Sequence, residues 1–245
     1  MKKYYHALKE RSDKKPHHPF YRVFRGIVRA FFPQNEVIWT TEKPVNEGEI
    51  VYVSNHTKIY APIFFLLQKP TVRVWSNYYF LFCKTCWKHM KKAVVTGKRA
   101  FLKPLAFLLT PVIVALFRAT EPIPVYKMSE KVMETFDKSI ETAEENVAQI
   151  IFPERTENKV NEYVYEFNQG FPTVAQLYYE KTGKKMKFYP TYCAQPLRKI
   201  LVGKPIEYDP DIPIKIQRAT ICEYLQNAIK ELGDSLPEHE PPIYG

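Results

Sequence analysis

Short β-branched runs alternate along this chain with longer stretches of helical period. Residues 37–41, 50–53, 72–75, 123–126, 149–152, 187–192 and 200–202 are brief apolar runs, and each predicts a strand. Residues 59–67, 78–92, 101–117, 129–144, 171–181 and 213–232 predict helices. Ser129 is placed as an N-cap, Pro70 follows the helix over 59–67, and Gly183 stands just past the helix over 171–181. Strands alternating with helices predict an α/β fold with a mixed, largely parallel sheet and flanking helices. Pro153 cannot donate to a ladder, so the strand over 149–152 should stop there and leave Glu154, Arg155 and Thr156 on a rim loop.

Two stretches break this rhythm. Residues 1–33 are basic, and over 18–32 Arg22, Arg25 and Arg29 share one helical face opposite Phe20, Tyr21, Phe24, Ile27, Val28 and Phe31. Such a helix suits a membrane interface, or it docks on the protein's own core with arginines outward. We expect residues 1–33 to form basic amphipathic interface helices and residues 34–245 one α/β domain. Residues 101–117 are the most apolar segment, but Pro104 and Pro111 interrupt them. They read as a buried helix, or else as a membrane-dipping hairpin or half-inserted helix.

Composition narrows the partners. The formal net charge is +10 and the isoelectric point about 9.2, which calls for an anionic partner. Four cysteines, Cys83, Cys86, Cys193 and Cys222, are too few for a disulfide framework in 245 residues, so reduced thiols and a cytosolic face are expected. The first residues, MKKYYHALKERSDKKP, lack the apolar core of a signal peptide. No RNA-binding signature or zinc finger accompanies the charge, so no nucleic-acid partner is expected. The 8 glycines form neither a phosphate loop nor a dinucleotide fingerprint. Cys83, Cys86 and His89 supply only three potential ligands where a structural zinc needs four, so no metal is expected.

Candidate chemistry gathers at two strand ends. The stretch IVYVSNHTKIYAP over 50–62 runs from a buried strand through Ser54-Asn55-His56 into a helix, which puts a titratable ring at a rigid rim. The stretch IIFPERT over 150–156 places an arginine and a hydroxyl beside backbone N–H groups, a plausible phosphate cradle.

Taken in order, four blocks resemble the glycerolipid acyltransferases, the lysophosphatidic-acid acyltransferase family. They are Asn55-His56 after a strand, Pro122-Ile123-Pro124-Val125-Tyr126-Lys127, Phe152-Pro153-Glu154-Arg155-Thr156, and Phe188-Tyr189-Pro190 with residues 202–206 beyond it. The resemblance spans roughly residues 35 to 210. It implies transfer of a fatty acyl group from acyl-CoA or an acyl carrier protein, as co-substrate with no further cofactor, to a lysophospholipid hydroxyl at the cytoplasmic face of an anionic membrane. It implies His56 as general base, and Lys127, Glu154, Arg155 and Thr156 as ligands of the acceptor phosphate. The family's Asp, five residues after the His, is Ala61 here, and 55–70 hold no carboxylate. Three readings follow. Glu154, or else Glu157, Glu162 or Glu166, replaces the Asp. Tyr60 or a backbone carbonyl orients the ring. Or catalysis has lapsed and lipid binding on the same fold remains.

Overall fold

A computed structural model describes residues 22–23, 25–26, 29–30, 35–56, 72–126 and 131–241, with only the backbone at 93–94, 98–99 and 156–157. Two compact units divide the chain. One takes Met1–Val28 and Arg73–Lys138, the other Arg29–Val72 and Ser139–Gly245. The chain is α/β, with a mixed and mostly parallel sheet flanked by helices, as the alternation of short and long periods predicts.

The second unit carries the larger sheet. Its strands are β1 (Glu36–Trp39), β2 (Ile50–Ser54), β5 (Gln149–Ile151), β8 (Lys187–Ala194), β9 (Lys199–Val202) and β10 (Ile206–Glu207). They lie in the order β1-β9-β8-β2-β5. β2 runs parallel to both neighbours, with Tyr52 opposite Tyr189 and Ile150. All of β2 is buried, as its continuous apolar run Ile50–Val53 requires of a strand covered on both faces. β9 and β10 share the far edge of β8, pairing with its upper and lower halves. Pro190, which has no N–H to give, falls at the break between those two pairings. There its carbonyl accepts from Gly203 N–H at 2.9 Å. A helix of the unit, α4 (Thr173–Thr182), stops at Gly183, whose φ of 71° is left-handed. The last helix, α5 (Ile214–Asp234), buries Ile221, Leu225 and Ile229.

Where a rim loop is expected, Glu154 instead opens β6 (Glu154–Lys159), antiparallel to β7 (Tyr165–Phe167) in a separate two-stranded sheet. Pro153 does end the main-sheet strand, but the next residue starts a new one. Asn161 closes the turn, accepting from the N–H groups of Tyr163 and Val164 at 2.9 and 3.0 Å. The short β10 is likewise absent from the hydrophobic pattern, because Pro205 and Glu207 hide its period.

The first unit pairs β3 (Arg73–Asn77) in parallel with β4 (Ile123–Val125). A buried ion pair, Arg73 to Glu121 at 3.0 Å, holds the entrance of β3 beside the approach to β4. The helix expected over 78–92 resolves into three pieces. A 3-10 turn (Tyr78–Leu81) is capped by Asn77, Phe82 is extended at φ −135°, and α1 (Cys83–His89) passes into a π-helical turn (Met90–Val94). The apolar segment is α2 (Lys103–Ala119), which runs through Pro111. Residues Ala100–Ala119 are long and apolar enough to cross a membrane by length and composition. Of the two readings open for this helix, burial in the core does not hold. Phe101 is 77% exposed, Leu108 72% and Phe107 61%.

Helix α3 (Val132–Glu144) contains the division between the units, and its expected cap Ser129 lies outside the described residues. So does the helix expected over 59–67. Of the N-terminal basic helix, Arg22, Val23, Arg25, Gly26, Arg29 and Ala30 are described and helical.

Candidate active site

The site stands where β2 ends. Ser54 and Asn55 follow the buried run without emerging from it, both essentially inaccessible. A buried amide must be satisfied. Asn55 Oδ1 accepts from Cys193 N–H at 2.8 Å, and its Nδ2 donates to the Cys193 carbonyl at 3.4 Å. A side chain thereby continues the β2–β8 ladder for one residue past the strand and fixes the direction in which His56 leaves the sheet. Motif reading places Asn55 beside the base; its task of stitching two strands depends on a partner 138 residues away.

His56 is half-buried, its ring edge-on to Phe152 with centroids 5.2 Å apart. Phe152 leaves the parallel neighbour β5, so two strand ends converge on the imidazole. Burial strips water from the charged ring and lowers its pKa to about 4. His56 is therefore neutral at pH 7.

Glu154 meets the main chain of His56. Its Oε2 accepts from the His56 backbone N–H at 2.6 Å, and its Oε1 from Tyr165 N–H at 2.9 Å. One carboxylate thus ties the end of β2 to β7. Two N–H donors favour the ionised form, but burial outweighs them and raises the Glu154 pKa to about 7. The environment separates the two groups. Near pH 6 the site holds one proton on Glu154 and none on His56, the reverse of what the same side chains do in water.

The remaining expected residues fall as follows. Arg155 is exposed on β6, and strand alternation turns it to the face opposite Glu154. Thr156 is in β6 by its backbone. Tyr60, Ala61 and Lys127 lie outside the described residues. Of the alternative carboxylates, Glu162 pairs with Lys230 at 3.1 Å and Glu166 accepts from Asn158 at 2.9 Å, so both are engaged elsewhere. Among the described side chains of these carboxylates, Glu154 is the one placed against His56, and it binds the main chain there. Cys83 is exposed, Cys86 buried, and His89 stacks near Tyr79. No group of three or more His, Cys, Asp or Glu is positioned to hold a metal among the described residues.

Sequence reasoning passes over Phe152, whose aromatic wall sets the dielectric of the ring, and Tyr165, whose N–H completes the Glu154 clamp. The aromatic before Pro153 is a visible signal for the first. Nothing local signals the second, because the donor is a backbone group brought in by the β6–β7 pairing. Comparison of the chain with protein-family models, with curated proteins and with solved structures gave no match.

Proposed function

We propose that this chain is an O-acyltransferase. It moves a fatty acyl group from acyl-CoA or an acyl carrier protein to the hydroxyl of a lysophosphatidate-like acceptor, at the cytoplasmic face of an anionic membrane. The observation that carries this reading is the placement of His56. It is a neutral imidazole at the end of a central parallel strand, where open α/β sheets bind ligands. Its main chain is held by the Glu154 of the Phe-Pro-Glu block.

The chemistry needs a base and no resident cofactor. The acceptor hydroxyl gives its proton to the neutral imidazole as its oxygen attacks the thioester carbonyl carbon. The tetrahedral intermediate then collapses, the C–S bond breaks, and the imidazolium returns the proton to the departing thiolate. The products are an ester and a free thiol. A ring with a pKa near 4 is neutral at pH 7 and can take the proton, although its lowered pKa makes it a weaker base than a solvated histidine. Glu154 serves as the positioning residue, since it fixes the backbone from which the ring projects. Arg155 is assigned to the acceptor phosphate on the resemblance of its block, since in β6 it faces away from Glu154. Lys127 and Thr156 join it on the resemblance of their blocks.

The test is thiol release. Purified protein is incubated with anionic liposomes, lysophosphatidate and a panel of acyl-CoA and acyl-carrier-protein donors, beside His56→Ala. Acceptor-dependent release that disappears in His56→Ala is the expected result. Release no greater than that of His56→Ala, with lipid binding intact, rejects the reaction for these substrates. It would leave a lipid-binding protein on the same fold.

A further inference from the structure

We propose that α1 and α2 together form a monotopic membrane anchor. In it α2 lies in the plane of an anionic bilayer, and the lysines of α1 sit at headgroup level. The inference deepens the membrane placement just proposed but rests on residues outside the His56 site.

Helix α2 buries a narrow stripe, Ala106, Thr110 and Val114, spaced four residues apart, and Ala119 at its end. Around the rest of the helix Leu105, Phe107, Leu108, Leu109 and Val112 are exposed, as is Phe101 in the 3-10 turn before it. A soluble surface rarely leaves an apolar patch of this extent in water, and such patches mark a membrane or protein contact. The pair of helices is braced as one body. Trp87 stands edge-on to Phe107 at 5.2 Å, Phe80 stacks on Phe117 at 4.8 Å, and Arg118 Nε donates to the Leu81 carbonyl at 2.7 Å.

Charge selects the occupant. No Asp or Glu occurs between Glu49 and Glu121. Over the same unit Lys84, Lys88, Lys91, Lys92 and Lys103 are exposed. Lysines flanking an apolar helix face match a surface of phosphate headgroups over hydrocarbon. A second copy of the chain would bring the same lysines against one another, which opposes self-association.

The same braced geometry argues against a spanning helix. Both ends of the excursion from β3 to β4 return to neighbouring parallel strands. A crossing α2 would therefore drag α1 with it and carry Lys91 and Lys92 through the hydrocarbon. Lying flat, the helix buries its apolar side chains while the lysine stems reach the interface.

The experiment uses the full chain with phosphatidylcholine vesicles, with and without phosphatidylserine, read by co-sedimentation. Binding is expected to require phosphatidylserine and to weaken with salt. Lys84→Gln with Lys88→Gln should weaken it about 25-fold, about fivefold for each surface lysine lost. Leu108→Glu with Val112→Glu, both at exposed positions and so compatible with folding, should reduce it at least about tenfold. In a Cys83→Ser background, Lys92→Cys should react with a membrane-impermeant maleimide added outside the vesicles. Binding unchanged by the Leu108/Val112 pair would overturn the proposal, as would a Lys92→Cys thiol protected until detergent is added. Dimers that Leu108→Glu dissolves while vesicle binding stays intact would overturn it too. Wild type and His56→Ala should bind alike, so loss of the acyl-transfer reading would leave this one standing, and the reverse.

Discussion

Replacing either member of the His56–Glu154 pair should expose a pH dependence of stability that the intact pair conceals. Glu154 has its pKa raised from 4.5 to about 7 on folding. The native state then holds a proton that the unfolded state has lost, so its contribution falls as pH rises through that window. A shift of about 2.5 units corresponds to about 3 kcal/mol. His56 has its pKa lowered from 6.5 to about 4, and the unfolded state holds the extra proton. Its contribution is lost as pH falls from 6.5 towards 4, again by about 3 kcal/mol. Between pH 4.5 and 6.5 the slopes have opposite signs and equal size. Folding there transfers one proton from histidine to glutamate and leaves the count unchanged.

Urea denaturation across pH 4 to 7.5, with each variant expressed as a difference from wild type, separates the two terms. In Glu154→Gln only the histidine term survives, so relative stability should rise by about 3 kcal/mol from pH 4.5 to 7. The amide can accept from only one of the two N–H groups, which adds a pH-independent loss of about 1–3 kcal/mol. In His56→Ala the glutamate term survives, because its two donors are backbone groups that the substitution keeps. Relative stability should then rise by about 3 kcal/mol as pH falls from 6.5 to 4. A Glu154→Gln difference that stays flat over this range would refute the assignment of the single proton to Glu154.

Two further variants test the frame around the site. Asn55→Ala leaves the N–H of Cys193 buried without its acceptor, and should cost about 2 kcal/mol by chemical denaturation at unchanged secondary structure by circular dichroism. Glu121→Gln removes the charge facing the buried Arg73 and should cost about 3–5 kcal/mol, read as a lowered denaturation midpoint that Glu121→Asp partly restores.

Local pattern was enough for the elements whose reasons are local. The apolar run Ile50–Val53 of β2 states that both of its faces are covered, and the structure buries it together with Ser54. Gly183 ends α4 because a left-handed C-cap favours a residue without a Cβ, a constraint carried by one position. The order of strands and helices likewise announced an α/β fold with a largely parallel sheet. His56 and Glu154 stood out as candidates because each follows a strand that stops abruptly.

What the sequence alone left undecided depends on partners far along the chain. Glu154 was expected on a loop, since Pro153 ends the ladder before it. Pairing with β7 makes it a strand residue and sends its carboxylate to a backbone N–H 98 positions away. No periodicity records such a contact, because a backbone donor has no side-chain identity. The inverted proton affinities of His56 and Glu154 arise the same way, from burial that neither residue type declares. Pro111 suggested a break in the apolar segment, yet the helix runs through it and stays largely exposed. Hydrophobic composition says that a segment avoids water. Only the tertiary structure decides whether the protein's own core shelters it, and for α2 the core shelters one narrow stripe.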